Sequence, residues 1–232
     1  MNKYIIILLI SIIISFLLNR FSQVKNIERY NFKLQEKLFY STNDIPFEKL
    51  KILEHNYKII LSEIPPFDIN KVKIKRNADE WVNKLNLDNF DKIKKCDTWI
   101  EGWNAEKDTW FNYPILVKDE VMCDVEKKCP KTLKLLQMSG LKINVAGYAL
   151  LLPKTKLMIH TDPETGLSTN TAAVNLKLKG TDSYLFVKNK FNNFDKYEHD
   201  DGKIVIFNSQ LEHYAINDGD TIRYILYMDI GY

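Results

Sequence analysis

"VAGYALLLPKTKLMIHTDPETG", residues 145–166, is the stretch whose reading decides the fold. It holds two short runs rich in branched and aromatic residues, separated by "PKT" and closed by "DPETG". Short apolar runs bounded by Pro, Gly and Asp read as β-strands rather than helices. Working outward, "AAVNLKL", "SYLFVK", "KIVIF" and "TIRYILYMDI" repeat the pattern, with "KGTDS", "DDGK" and "NDGD" as turns between them. Strands that follow one another without intervening helices predict an antiparallel sandwich or barrel from about residue 143 to the carboxyl terminus.

The region before it has a different period. Asp44 and Pro46 signal a helix start, and "FEKLKILEHNYKIILSEI" spaces its apolar residues helically until Pro65 and Pro66. "ADEWVNKLNLDNF" predicts a second helix. "PKTLKLLQMSG" predicts a third, with Pro130 in its first turn and Gly140 just past its end. The fold class is therefore mainly β with flanking helices (α+β), over a domain of residues 45–232. The aromatic residues of "DTWFNYP" either pack in its core or line a groove on it.

At the amino terminus "YIIILLISIIISFLL", residues 4–18, is uncharged and flanked by Lys3 and Arg20. As a helix it spans about 22 Å, short of the roughly 30 Å hydrocarbon core, with Phe21 and snorkelling of Lys3 and Arg20 extending it. No small-x-small cleavage site follows, so residues 1–20 read as an uncleaved, single-pass membrane anchor rather than a signal peptide. Residues 21–44 read as a polar stalk. The Lys and Arg count leans towards a cytosolic domain, as does the absence of an N-x-[ST] sequon. An endomembrane is the expected location, and the side of the membrane stays open.

The bulk numbers exclude one partner class. The 232 residues are 45% hydrophobic with a net charge of +3, and no basic stripe interleaves with aromatics, which argues against nucleic acid. Cys96, Cys123 and Cys129 are the only cysteines. "CDVEKKC" could close a small disulfide loop or hold two free thiols, and its spacing is not a usual zinc pattern.

The chemistry concentrates in four histidines: His55, His160, His199 and His213. Residues i and i+2 of a strand project from one face, so His160 and Asp162 can both reach one metal ion. Pro163 favours extended geometry at Asp162. A second H-x-D, His199 and Asp201 in "EHDDGK", reads as a solvated loop. His213 is the candidate third ligand, and otherwise simply ends a strand. Two histidines and one carboxylate leave open coordination positions, as in non-haem Fe(II) oxygenases. Arg223, ten residues after His213, lies in a strand whose two faces both look buried. A buried guanidinium needs a carboxylate. That partner is either an internal one, Asp229 or Asp162, or a small dicarboxylate cosubstrate.

H-x-D, a distal His and an Arg ten residues beyond resemble the 2-oxoglutarate-dependent Fe(II) dioxygenases with a jelly-roll core. More narrowly, the chain is similar to the aspartyl/asparaginyl β-hydroxylase family, whose bacterial relatives include lipid A acyl-chain hydroxylases. "LEHNYKIILSEI", "TWFNYPILV", "CPKTLKLL", "LLPKTKLMIHTDPETG", "VNLKL", "DGKIVIFNSQLEHYAIND" and "RYILYMDI" carry the resemblance in the family order, over residues 48–232. It implies a double-stranded β-helix, with His160, Asp162 and His213 on Fe(II) and Arg223 on the far carboxylate of 2-oxoglutarate. Asn175 falls where the family usually has a cosubstrate-side histidine. Tyr148 or Ala149 falls where it commonly has a serine, so one cosubstrate hydrogen bond is absent or replaced. Asp162 stands where the animal members have glycine, which completes a triad here.

The resemblance implies that O2 and 2-oxoglutarate are consumed while an unactivated C–H bond is hydroxylated. The first expectation is the β-carbon of Asp or Asn in a polypeptide. A lipid acyl chain is the alternative within the enzyme class, and a tethered non-catalytic jelly-roll binding module is the alternative outside it. A zinc hydrolase fits less well, since no H-E-x-x-H is present and Arg223 would lack a role.

Overall fold

Alternating apolar residues in the carboxyl-terminal two thirds assemble into two facing antiparallel sheets. The computed structural model describes residues 37–72, 99–102, 105–106, 108–117, 120–162 and 171–231. The proposed anchor (1–20), most of the stalk and the helix expected within 78–90 lie outside the described residues. No helix among the described residues is long and apolar enough to cross a membrane.

The larger sheet is built from β1 (Ile100–Glu101), β2 (Trp110–Val117), β4 (Lys142–Leu151), β11 (Arg223–Gly231), β6 (Thr171–Lys179) and β9 (Ile204–Phe207), in that spatial order. β3 (Glu120–Val121) pairs with β2. The smaller sheet runs β5 (Thr155–Lys156), β10 (His213–Asn217), β7 (Ser183–Lys188) and β8 (Phe194–Glu198). From β4 to β11 the chain passes back and forth between the two sheets as in a jelly roll, apart from the β7–β8 hairpin, which stays within the smaller one. Two of them, β8 and β10, were not expected as strands. "FDKYE" is mostly polar because β8 is an edge, and "HYAIN" reads as a continuation of the turn before it.

Sheet alternation sorts the side chains. On β11, Arg223, Ile225, Tyr227 and Asp229 share one face, opposed by Leu151, Ala149, Gly147 and Val145 on β4. Lys177, Asn175 and Ala173 of β6 continue that face. It looks into the lumen between the sheets, where Ala173, Val205 and Phe207 pack against Leu185 and Val187 of β7. The other face of the larger sheet, with Tyr148, Leu150, Leu226 and Met228, is buried as well. Gly147 is required here, because a Cβ would lie 2.7 Å from Tyr113 O across the β2–β4 bulge.

Helices cover the outer face. α1 (Lys51–His55) and α2 (Tyr57–Ser62) occupy the single helix expected there. The break falls at Asn56, whose side chain donates to Ile52 O at 2.7 Å and competes with the backbone ladder. α3 (Val125–Lys128) precedes α4 (Pro130–Met138), the helix expected from "PKTLKLLQMSG". Glu63 caps α4 by accepting from the backbone N–H of Lys131 and Thr132 at 3.1 and 2.7 Å. Tyr148 docks the layer by donating to Ile60 O at 3.0 Å.

Three expectations are corrected or resolved. The stalk does not extend to residue 44, because Tyr40 pairs with Ile206 and covers the β9 edge. Two of the three aromatics of "DTWFNYP" are core: Phe111 and Tyr113 are buried against Phe67 and Trp99, while Trp110 is half-buried. Cys123 and Cys129 are free thiols, and burial pushes the Cys129 thiol up to about 12.

Candidate active site

The segment after β5 positions the first two candidate residues. Lys156 pairs with Ile216, and His160 pairs with His213, so four steps on one strand meet three on β10. The extra residue is a β-bulge, a device that re-aims a side chain beside a site. It turns Ile159 out to solvent. His160 and His213 then exchange backbone hydrogen bonds at 3.0 and 2.8 Å, bringing their rings to 4.3 Å between centroids. Asp162 is tethered by its N–H to Ser209 O at 3.0 Å.

The donor atoms converge. One ligand atom from each of His160, Asp162 and His213 lies within 4.8 Å of the other two. His160 Nε2 is 3.6 Å from Asp162 Oδ1, and His213 Nε2 is 3.7 Å from Asp162 Oδ2. Each ring anchors its other nitrogen: His160 Nδ1 on Met158 O at 2.7 Å, His213 Nδ1 on Leu211 O at 2.9 Å. A carbonyl can only accept, so Nδ1 carries the proton and Nε2 presents a lone pair. Burial depresses the basicity of His213, assisted by His160 and opposed by Asp162, which favours the neutral ring a metal needs. The cluster can therefore hold a cation that takes two nitrogens and one carboxylate.

Arg223 lies on the same lumenal face and is 4% exposed. Neither internal partner considered for it is used: Asp162 and Asp229 both bind the Tyr227 hydroxyl, at 3.1 and 2.7 Å. Its Nε and Nη2 are buried without hydrogen-bond partners among the described residues. Such a group is costly unless an anion is supplied from outside the chain. The backbone of Gly180 lies against it, where a Cβ would come within 3.0 Å of Arg223 Cα.

Asn175 is buried on the same face, opposite Tyr227, with its Oδ1 unpartnered. Neither residue at the expected serine position offers a polar group to the lumen. Ala149 has none, and the Tyr148 hydroxyl bonds Thr132 and Ile60 on the opposite face. The second H-x-D is corrected. His199 is 1% exposed rather than solvated, while Asp201 is half-exposed and pairs with Lys177 at 3.3 Å. Tyr227, which holds Asp162 and is itself held by Asp229, carried no motif by which sequence alone could have singled it out.

A family model described as aspartyl/asparaginyl β-hydroxylase matches residues 55–231. The chain belongs to this family. As an aspartyl/asparaginyl β-hydroxylase family member it is a 2-oxoglutarate- and Fe(II)-dependent hydroxylase, with Fe(II), 2-oxoglutarate and O2 as its cofactor and cosubstrates. An uncharacterized protein of Acanthamoeba polyphaga mimivirus is 24% identical over 202 residues, covering 84% of this chain and 71% of its own. A prolyl-4-hydroxylase from Pseudomonas putida aligns structurally with a TM-score of 0.39 and 14% identity, over 53% of this chain and 71% of its own. A 2OG-Fe(II) oxygenase family oxidoreductase from Burkholderia pseudomallei aligns with a TM-score of 0.40 and 10% identity, over 62% and 77% respectively. The assignment rests on the family match.

Proposed function

We propose that His160, Asp162 and His213 hold the Fe(II), that Arg223 holds the far carboxylate of 2-oxoglutarate, and that the enzyme hydroxylates the β-carbon of Asp or Asn in a polypeptide. The observation that carries the reading is one lumen containing both a two-histidine, one-carboxylate cluster and a buried arginine with uncommitted donors. The polypeptide substrate follows from the family's description.

When bound, iron and cosubstrate supply the oxidising power, converting 2-oxoglutarate to succinate and CO2 as O2 is consumed. The chain supplies binding and orientation. The Met158 and Leu211 carbonyls fix the ring planes, so that both Nε2 atoms face Asp162. Tyr227 restrains the Asp162 carboxylate. Arg223 offers a planar fork that matches a carboxylate edge-on, and Asn175, paired with Tyr227, shares its lumenal face. Val187, Val205 and Phe207, all buried, keep water from this part of the lumen.

The test is anaerobic loading of the purified full-length protein with Fe(II) and 2-oxoglutarate, followed by admission of air and measurement of succinate. Wild type should form succinate, stimulated by an Asp- or Asn-containing peptide. His213→Ala and Arg223→Met should lose this activity by at least about 100-fold. Absence of succinate from wild type, together with absence of Fe(II) binding, would overturn the reading.

A further inference from the structure

Beyond Arg223, the end of the lumen distant from the metal cluster contains two polar side chains with no assigned part. Alternation along β7 turns Ser183, Leu185 and Val187 inward, and each is at most 2% exposed. Leu185 pairs with Tyr197 of β8, so the next inward rung sets His199 beside Ser183. Ser183 pairs with Asn217, at the opposite end of β10 from His213. Asn217 Nδ2 donates to Leu151 O at 2.9 Å, and Leu151 pairs with Arg223. Ser183, His199 and Arg223 therefore close one end of the lumen.

Their hydrogen-bonding capacity does not balance. His199 Nε2 is 2.8 Å from Lys203 O, so the ring proton sits there and Nδ1 is a bare acceptor. Burial, then the charge of Arg223, lowers the His199 pKa to about 3, so the ring stays neutral. Among the described residues, His199 Nδ1, Ser183 Oγ, and Arg223 Nε and Nη2 are all buried without partners. The acceptors in reach, His199 Nδ1, the Ser183 hydroxyl oxygen and Asn175 Oδ1, are all neutral, so none of them supplies a counter-charge for the guanidinium. A carboxylate, which only accepts, is the group that completes the set. Lys177 is not available for this: its Nζ is committed to His199 O and to Asp201, which holds the loop carrying His199 in place.

We propose that Ser183 and His199 position the far carboxylate of the cosubstrate: the Ser183 hydroxyl donates to it beside Arg223, and His199 Nδ1 accepts from Arg223 and orients its fork. The serine absent from β4 is thereby replaced from the opposite sheet. This inference rests on the reading that Arg223 holds that carboxylate.

The discriminating measurement is anaerobic calorimetry on the Mn(II)-loaded full chain. It compares 2-oxoglutarate with 2-oxopentanoate, which has the same carbon chain but lacks the far carboxylate. Wild type should strongly prefer 2-oxoglutarate. Ser183→Ala and His199→Leu should each shrink that preference roughly tenfold, with 2-oxopentanoate affinity unchanged. His199→Asn, which restores an acceptor near the Nδ1 position, should recover most of it. An unchanged preference in Ser183→Ala and His199→Leu, or equal weakening of both ligands, would overturn the proposal. If wild type and Arg223→Met bind both ligands alike, the Arg223 reading itself fails, a separate result.

Discussion

The Tyr227 hydroxyl donates to Asp162 Oδ2 at 3.1 Å, although the two residues are 65 apart in sequence. Second-sphere hydrogen bonds of this kind orient metal-binding carboxylates. Tyr227→Phe removes the donor while keeping the ring that packs against the core cluster. Its Mn(II) or Fe(II) affinity should fall about tenfold, with little change in fold. Titration of the metal under argon checks this, and unchanged affinity would remove Tyr227 from the site.

Asp229, on the other side of that hydroxyl, has its carboxyl pushed up to about 7, chiefly by burial, with Asp162 also raising it and the Tyr227 hydrogen bond lowering it. The folded state therefore keeps a proton that the unfolded chain releases near pH 4. Between those values the unfolded state binds fewer protons, so stability falls as pH rises from about 4 to 7. Melting curves of metal-free protein should show this decline in wild type and a flatter profile in Asp229→Asn.

His199 has the opposite sign. Its depressed pKa, about 3, lies below the ordinary value of 6.5 because of burial and the nearby Arg223. Its contribution is complete above pH 6.5 and is lost progressively as pH falls towards 3, where the unfolded chain takes up the proton first. His199→Gln should melt at lower temperature than wild type at pH 7, yet lose less on acidification to pH 4.5. Parallel pH profiles for the two proteins would contradict this.

Asn217 is fully buried, and its Nδ2 lies within 3.0 Å of the carbonyls of Leu151, Leu152 and Thr221. One amide group thus ties β10 of the smaller sheet to the end of β4 and the turn before β11. Asn217→Ala leaves those carbonyls short of a donor and should destabilise the fold by roughly 3 kcal/mol, measured by urea unfolding. A loss below about 0.5 kcal/mol would mean that the two sheets hold this end without it.

Local chemistry made much of the molecule legible in the sequence. Period-two runs such as "SYLFVK" and "AAVNLKL" became β7 and β6, and Pro130 with Gly140 bounded α4. His160 and Asp162 could be paired because strand alternation acts over a few residues, His213 joined them only as the candidate third ligand and by the family resemblance, and the fold does bring the three donor atoms together. What alternation alone could not supply was which strand faces which. His199 looked solvated because "EHDDGK" is polar, yet its side chain turns into the lumen and only Asp201 remains at the surface. The partnerless state of Arg223 depends on Tyr227 engaging both carboxylates that might have neutralised it. Pairing between sheets is set by contacts far apart in the chain, made only when both faces bury together. The sequence by itself therefore determined the apolar strands from β4 onward and the candidate ligands, whereas the polar edge strand β8, the register, the bulge at Ile159 and the unbalanced polar end of the lumen were decided by tertiary structure.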